Sequence, residues 1–270
     1  MPAWPRHSAG TLGEQLAGLA AESPGTWAFA VREQGRAVAS VRGDVVVPAA
    51  STIKVALMVL ALQDVEAERC RLDSVLRVPD ERVGGSGVLR LLPSVRALRL
   101  DETLELMIGI SDNTAANMVI GMLGVDDVAR RVAALGARNT RLERRLMDLE
   151  AARQGRDNVT TADDQALLLD LLAGETVLSV ELRQHALEIL GRQQVNDRMP
   201  AALGPDVVCR HKTGELEGVR HDVGLLEFDG RQVAFAALGT DLPEQAAGGG
   251  PAGSVIAGAA RMVVDAARAR

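Results

Sequence analysis

The stretch Ser51-Thr52-Ile53-Lys54-Val55-Ala56-Leu57-Met58-Val59-Leu60-Ala61-Leu62 decides how this chain folds, because strand character gives way to helix there. Before it, residues 26–31 and 37–41 flank Gly35 and predict a hairpin, preceded by a helix over 11–21. From Ser51 to about Leu190 apolar residues recur every three or four positions, predicting helices over 52–68, 104–110, 114–123, 125–135 and 162–172. Strand character returns over 207–212, 222–228 and 232–238, with Asp229-Gly230 as a two-residue turn between the last two. Glycines 248 to 250 and Pro251 precede a final amphipathic helix carrying Val255, Ile256, Ala259, Met262, Val263 and Ala266. The expected fold is α/β: an antiparallel sheet formed by both chain ends and flanked by helices, with an all-helical domain inserted between its second and third strands. Residues 1–50 and 195–270 would make the sheet domain and 51–194 the helical one. Ser51 marks where the chain leaves the first and Lys212 where it returns, so one cleft at the junction can hold both.

The same stretch carries chemistry. Three residues make about one helical turn, so the Lys54 amine shares a face with the Ser51 hydroxyl. The helix N-terminus offers free N–H groups and positive potential to an anion forming there. Of the 30 basic residues only Lys54 and Lys212 are lysines. A guanidinium stays protonated at any working pH, whereas an amine whose pKa is lowered by burial serves as a base. Ser111-Asp112-Asn113 opens a predicted helix, and Lys212-Thr213-Gly214 closes a predicted strand. In isolation each of the three motifs fits an ordinary cap or turn.

Together, in this order and at this wide spacing, they resemble the class A β-lactamase family of penicillin-recognising serine hydrolases. Ser51-x-x-Lys54, Ser111-Asp112-Asn113-Thr114-Ala115-Ala116-Asn117 and Lys212-Thr213-Gly214 carry the resemblance, which spans the chain from first helix to last. It implies a β-lactamase/transpeptidase-like fold in which Ser51 is acylated and Lys54 is the general base. Ser111 would relay a proton to the leaving nitrogen, and Asn113 would hold the substrate's side-chain amide. Lys212 and Thr213 would bind the substrate carboxylate with Gly214 giving close approach, while the N–H groups of Ser51 and Glu215 form the oxyanion hole. Arg220 is a second candidate partner for a carboxylate. The chain has no tyrosine, so the relay falls to Ser111.

One departure from the family concerns release of the acyl group. Alignment on Thr140-Arg141-Leu142 puts Leu146 where the family carries a water-activating glutamate. Arg144 and Asp157 can still pair across the loop neck, and Asp148 or Glu150 is a candidate replacement. Ser86 or a neighbouring glycine stands where the family has an aromatic gate. Acylation machinery is complete by this reading and deacylation machinery is not. The leading expectation is therefore a β-lactamase-type hydrolase with slow deacylation. The alternatives are a D-alanyl-D-alanine peptidase or small-ester hydrolase on the same site, and a catalytically silent penicillin-binding module.

Bulk properties exclude other classes. At 47% hydrophobic and 24% charged the chain is an ordinary globular composition, and a net charge of −6 with 2% aromatics argues against nucleic-acid binding. No run approaches the roughly twenty apolar residues of a membrane span. Cys70 and Cys209 read as buried free thiols, and His7, His185, His211 and His221 show no metal-ligand spacing with them. No metal or cofactor is expected, and the expected partner is a small-molecule substrate bound by a monomer. Met1 to Gly10 lacks the apolar core of a signal peptide, which leaves a cytoplasmic protein, or a secreted or periplasmic one whose presequence was removed.

Overall fold

A computed structural model describes residues 10–243 and 250–270. The expectations about residues 1–9 and glycines 248 and 249 lie outside it. Helix α1 (Leu12–Glu22) starts at Thr11, whose hydroxyl accepts from the Glu14 N–H while Glu14 reaches back, a capping box. Strands β1 (Thr26–Glu33) and β2 (Arg36–Val41) form the predicted hairpin. After the short strand β3 (Val47–Pro48), a 3-10 turn over Ala50–Thr52 leads into α2 (Ile53–Glu66). The next elements are β4 (Val75–Arg77), β5 (Ala97–Arg99), α3 (Leu100–Gly109), α4 (Asn113–Leu123) and α5 (Val125–Ala134). They are followed by α6 (Leu149–Arg153), β6 (Val159–Thr160), α7 (Ala162–Ala173) and α8 (Val180–Gly191). The chain closes with β7 (Val208–Leu216), β8 (Val219–Phe228), β9 (Arg231–Thr240) and α9 (Gly250–Arg268).

The main sheet has the order β2-β1-β9-β8-β7 with every pair antiparallel, so both chain ends build it and the helical stretch enters between β2 and β7. Strands β7 and β8 are longer than the sequence pattern predicts. The polar run Lys212 to Glu215 breaks the apolar alternation, yet pairing continues to Leu216↔Val219 around a turn in which Gly218 takes φ +65. Lys212-Thr213-Gly214 therefore lies inside β7 and not at its end. Pro251 likewise stands in the first turn of α9, where a missing N–H costs nothing.

Each sheet face is covered. On one, α1 and α9 pack over Trp27, Phe29, Phe228 and Phe235; on the other lie Ala28, Ala30, Val223, Leu225, Ala234 and Ala236, with the aliphatic residues of α2 and α7 in the same core. Helix α2 is apolar on all sides and buries 11 of its 14 residues, which makes it the central post of the molecule. Ser51 and Lys54 sit at its rigid N-terminal end. Cys70 and Cys209 are free but half-buried, since each packs at the edge of a core and not within one. Among the described residues, no helix is long and apolar enough to cross a membrane.

Candidate active site

The turn that carries Ser51 is strained and braced. Ala50 holds φ +47, a conformation costing a residue with a Cβ about 1 kcal/mol. It is fixed by the Ala49 N–H donating to the Asn158 carbonyl at 2.8 Å and the Thr52 hydroxyl donating to Ala49 O at 2.6 Å. Strand β7 runs close by: a Cβ at Gly214 would lie 3.1 Å from Thr52, 3.2 Å from Ala50 and 3.3 Å from His221. Glycine is what lets the Lys212-Thr213-Gly214 segment approach Ser51.

Lys54 is fully buried. Its Nζ lies 3.0 Å from Ser51 Oγ, 3.0 Å from Ser111 Oγ, 2.8 Å from the Ser111 carbonyl and 2.9 Å from Asn113 Oδ1. Burial drives its pKa well below the usual lysine range and repulsion from Lys212 adds to this, against the attraction of Asp112. The carbonyl and amide oxygens only accept, whereas the two hydroxyls also donate. A neutral amine thus satisfies the shell by donating to the Ser111 carbonyl and Asn113 and accepting from a serine hydroxyl.

Ser111 reaches Lys54 from a loop residue with φ +59, and Asp112 caps α4 by accepting from the Ala115 N–H at 2.9 Å. The other Asp112 oxygen accepts from the N–H groups of Val88 and Leu89, which pins the glycine-rich segment 84–87 along the site. Asn113 Nδ2 donates to the Gly84 carbonyl at 3.0 Å and its backbone N–H to Ser86 O at 3.1 Å. A peptide segment and not an aromatic gate lines this side.

Lys212 is also fully buried, and desolvation with repulsion from Arg198 lowers its pKa to about 7 against the pull of Asp222. Its Nζ donates to the Thr213 carbonyl at 2.7 Å. Asp222, opposite Thr213 in the ladder, accepts from the Met199 N–H at 3.0 Å and pairs with His211 Nδ1 at 2.8 Å. His221 is held neutral, its pKa lowered by burial to about 4, and Nε2 donates to the Pro48 carbonyl just ahead of the Ser51 turn.

Two arginines meet behind the β7 edge. Arg220, expected as a free partner for substrate, instead lies 2.9 Å from Glu215 Oε1. Arg198 carries no motif and was not anticipated; nothing separates it in sequence from the other arginines, and only its burial singles it out. Its guanidinium donates to the carbonyls of Gly214 and His221 and to Glu215 Oε2, bracing the strand edge from below.

The loop 144–157 closes as expected, with Arg144 and Asp157 2.7 Å apart. Leu146 is buried, and its backbone N–H and carbonyl are both clamped by the Asn117 side chain at 2.8 and 3.0 Å. Asn117 is a second positioning residue that its motif run contained but no role singled out. Asp148 caps α6 by accepting from the Ala151 N–H, and exposed Glu150 engages Arg153 and Gln154. The structure brings together Ser51, Lys54, Ser111 and Asn113 by direct contact. It ties neither loop carboxylate to them. Among the described residues, no group of three or more His, Cys, Asp or Glu side chains is placed to hold a metal ion.

A serine set by a strained turn at the head of a buried helix, one turn from a desolvated amine, on a sheet closed by both chain ends, defines the serine acyl-transfer class. The β-lactamase enzyme family matches this chain over residues 11–267, so the protein belongs to that family and is a serine β-lactamase-type hydrolase. A β-lactamase from Streptomyces albus G is 30% identical over 96% of this chain and 86% of its own. An ancestral class A β-lactamase superposes with TM-score 0.85 at 30% identity, covering 94% of this chain and 99% of its own. A protein solved as PBP-A also gives TM-score 0.85 at 30% identity over 96% of both chains. A leucine-to-glutamate variant of PBP-A is solved as an acyl-enzyme complex with penicillin G.

Proposed function

We propose that the protein opens β-lactams through an acyl-Ser51 intermediate and releases that intermediate slowly. Neutral Lys54 takes the Ser51 proton as Oγ attacks the lactam carbonyl, and the N–H groups of Ser51 and Glu215 receive the oxyanion. When the C–N bond breaks, Ser111 passes a proton to the leaving nitrogen. A donor positioned for the oxyanion is typically worth about 3 kcal/mol of barrier. Asn113 holds the acyl side-chain amide, and Lys212, Thr213 and Arg220 attract the substrate carboxylate, with Gly214 giving close approach. Water then hydrolyses the ester. The site lies in the cleft between the body formed by 1–50 and 195–270 and the body formed by 51–194, in a monomer acting on a small molecule.

What supports acylation is the Lys54 Nζ contact with both serine hydroxyls at 3.0 Å. What supports slow release is Leu146 in the loop, with Asp148 and Glu150 engaged elsewhere. The same two observations favour a second reading, a D-alanyl-D-alanine peptidase or small-ester hydrolase, which needs acylation but not fast release from a β-lactam. Intact mass after mixing with penicillin G decides. An adduct on Ser51 lasting minutes or longer supports slow release, rapid turnover removes that part of the reading, and neither adduct nor turnover sinks acylation altogether.

A further inference from the structure

Side chains alternate across a strand, so Glu215 lies on the same face of β7 as Thr213. The ladder sets Asp222 opposite Thr213 and Arg220 opposite Glu215. Arg198 reaches this corner from the loop before Met199. Glu215 spends one oxygen on each guanidinium: Oε2 is 2.6 Å from Arg198 and Oε1 is 2.9 Å from Arg220. The two arginines are 1% and 6% exposed, whereas the Glu215 side chain is 51% exposed at the rim. The cations are fixed and the carboxylate is the movable partner.

The charge balance at this corner is uneven. Asp222 is already committed to His211 and the Met199 N–H, and Asp197 lies 3.5 Å from Arg198 Nε alone, so Glu215 is the carboxylate shared by the two buried guanidiniums. Both arginines keep a buried Nε without a hydrogen-bond partner. Past Glu215 and Arg220 the surface opens into a hollow of about 330 Å³, lined also by Leu216, the exposed Glu217, Gly218 and Leu242. A second anion thus has room beside the two guanidiniums, and the carboxylate already seated on both of them is Glu215.

We propose that Glu215 is a built-in counter-anion at the substrate-carboxylate subsite and sets how strongly the site prefers acyl donors bearing a free carboxylate over uncharged ones. This rests on the reading of Lys212 and Thr213 as that subsite. With Glu215 ionised, an incoming carboxylate is attracted by the cations and repelled by the carboxylate already seated on them. Its advantage over a neutral ester is muted. Without that charge Arg220 loses its carboxylate and Arg198 keeps Asp197 alone, so the anionic donor gains while an uncharged one has nothing to gain from them.

Penicillin G and its methyl ester test this, since they share the reacting ring and differ only in the carboxylate. The second-order rate of Ser51 acylation by each is read by intact mass for the wild type and Glu215→Gln. The acid-to-ester rate ratio should rise about tenfold in the Gln variant. Glu215→Asp, which keeps the charge, should stay within about twofold of wild type by the same argument. Glu215→Ala gives the same direction as Gln if the latter folds poorly. An unchanged ratio, or equal slowing of both compounds, overturns the proposal and leaves Glu215 as a prop for the strand edge. A wild-type chain that forms no adduct with either compound overturns the acyl-serine reading instead.

Discussion

At the scale of single residues, the decisive quantity is how many protons Lys54 carries. Four oxygens surround Nζ, two of them able only to accept, and burial opposes the ammonium form. Lys54→Arg puts a permanent cation where a neutral amine stands and cannot accept the Ser51 proton, because a guanidinium stays charged at any working pH. Acylation by penicillin G, read on the folded fraction, should fall by about 10³ or more, and the thermal unfolding midpoint should fall too, because a larger and permanently charged group is buried; wild-type adduct formation in this variant would remove Lys54 as the base. Lys212 predicts a pH dependence of opposite sense. On the proposed reading of Lys212 as part of the carboxylate subsite, its pKa of about 7 means that the subsite carries one more positive charge below that pH than above it. In the free enzyme kcat/KM for penicillin G should decline as pH rises through about 7, whereas the methyl ester should lack this limb. A shared limb would assign the titration to another group. The stability sign follows from the same depression: between about 7 and the usual lysine value the unfolded chain binds the extra proton, so Lys212 costs stability that is recovered as pH rises. The lysines were legible in the sequence because an arginine-rich chain retained them at only two places. Arg198 was not, since a buried guanidinium and a solvated one are the same letter.

At the scale of elements, the proposed slow release turns on the loop 144–157. Its frame is sound: Arg144–Asp157 closes the neck and Asn117 fixes the backbone at Leu146 on both sides. A carboxylate introduced there would start from a rigid backbone, so Leu146→Glu should shorten the lifetime of the penicillin adduct by at least about tenfold, within the range of a positioned general base. Asp148→Asn, which retains the α6 cap, and Glu150→Gln, which loses a solvent-facing ion pair, should leave that lifetime unchanged. A lengthened lifetime in either would show that a loop carboxylate does reach the ester. Here the resemblance puts Leu146 at the glutamate position but does not say where its neighbours point, because Asp148 looks the same as a catalyst and as a helix cap. Likewise the ends of β7 and β8 were hidden by polar residues that only their cross-strand partners hold in register. Helix α8 lies beyond the predicted helices, although Ser179 stands at its N-cap position; its side chain makes no capping bond.

At the scale of the whole molecule, the order of strand-like and helix-like stretches was enough to give the topology, because a sheet built from both chain ends needs only that order and antiparallel pairing. What order could not reveal is how unlike the sheet's two faces are. The described aromatic side chains, Trp27, Phe29, Phe228 and Phe235, all pack on the face under α1 and α9, with Phe29 and Phe235 stacked at 6.3 Å. The core around α2, which carries Ser51 and Lys54 at its end, is aliphatic. The two cores share the sheet but divide the work, one anchoring the chain ends and one holding the catalytic helix. Phe235→Ala should therefore destabilise the protein by about 3–5 kcal/mol through loss of a fully buried ring. The acylation rate constant of the folded fraction should nevertheless match wild type, because Ser51 and Lys54 head α2, whose buried apolar residues belong to the other core. The check is chemical denaturation followed by Trp fluorescence, paired with adduct formation under conditions where the variant is folded. A drop in the acylation rate constant at full folding would mean that the sheet transmits strain from one face to the other, and that the Ser51 turn depends on both.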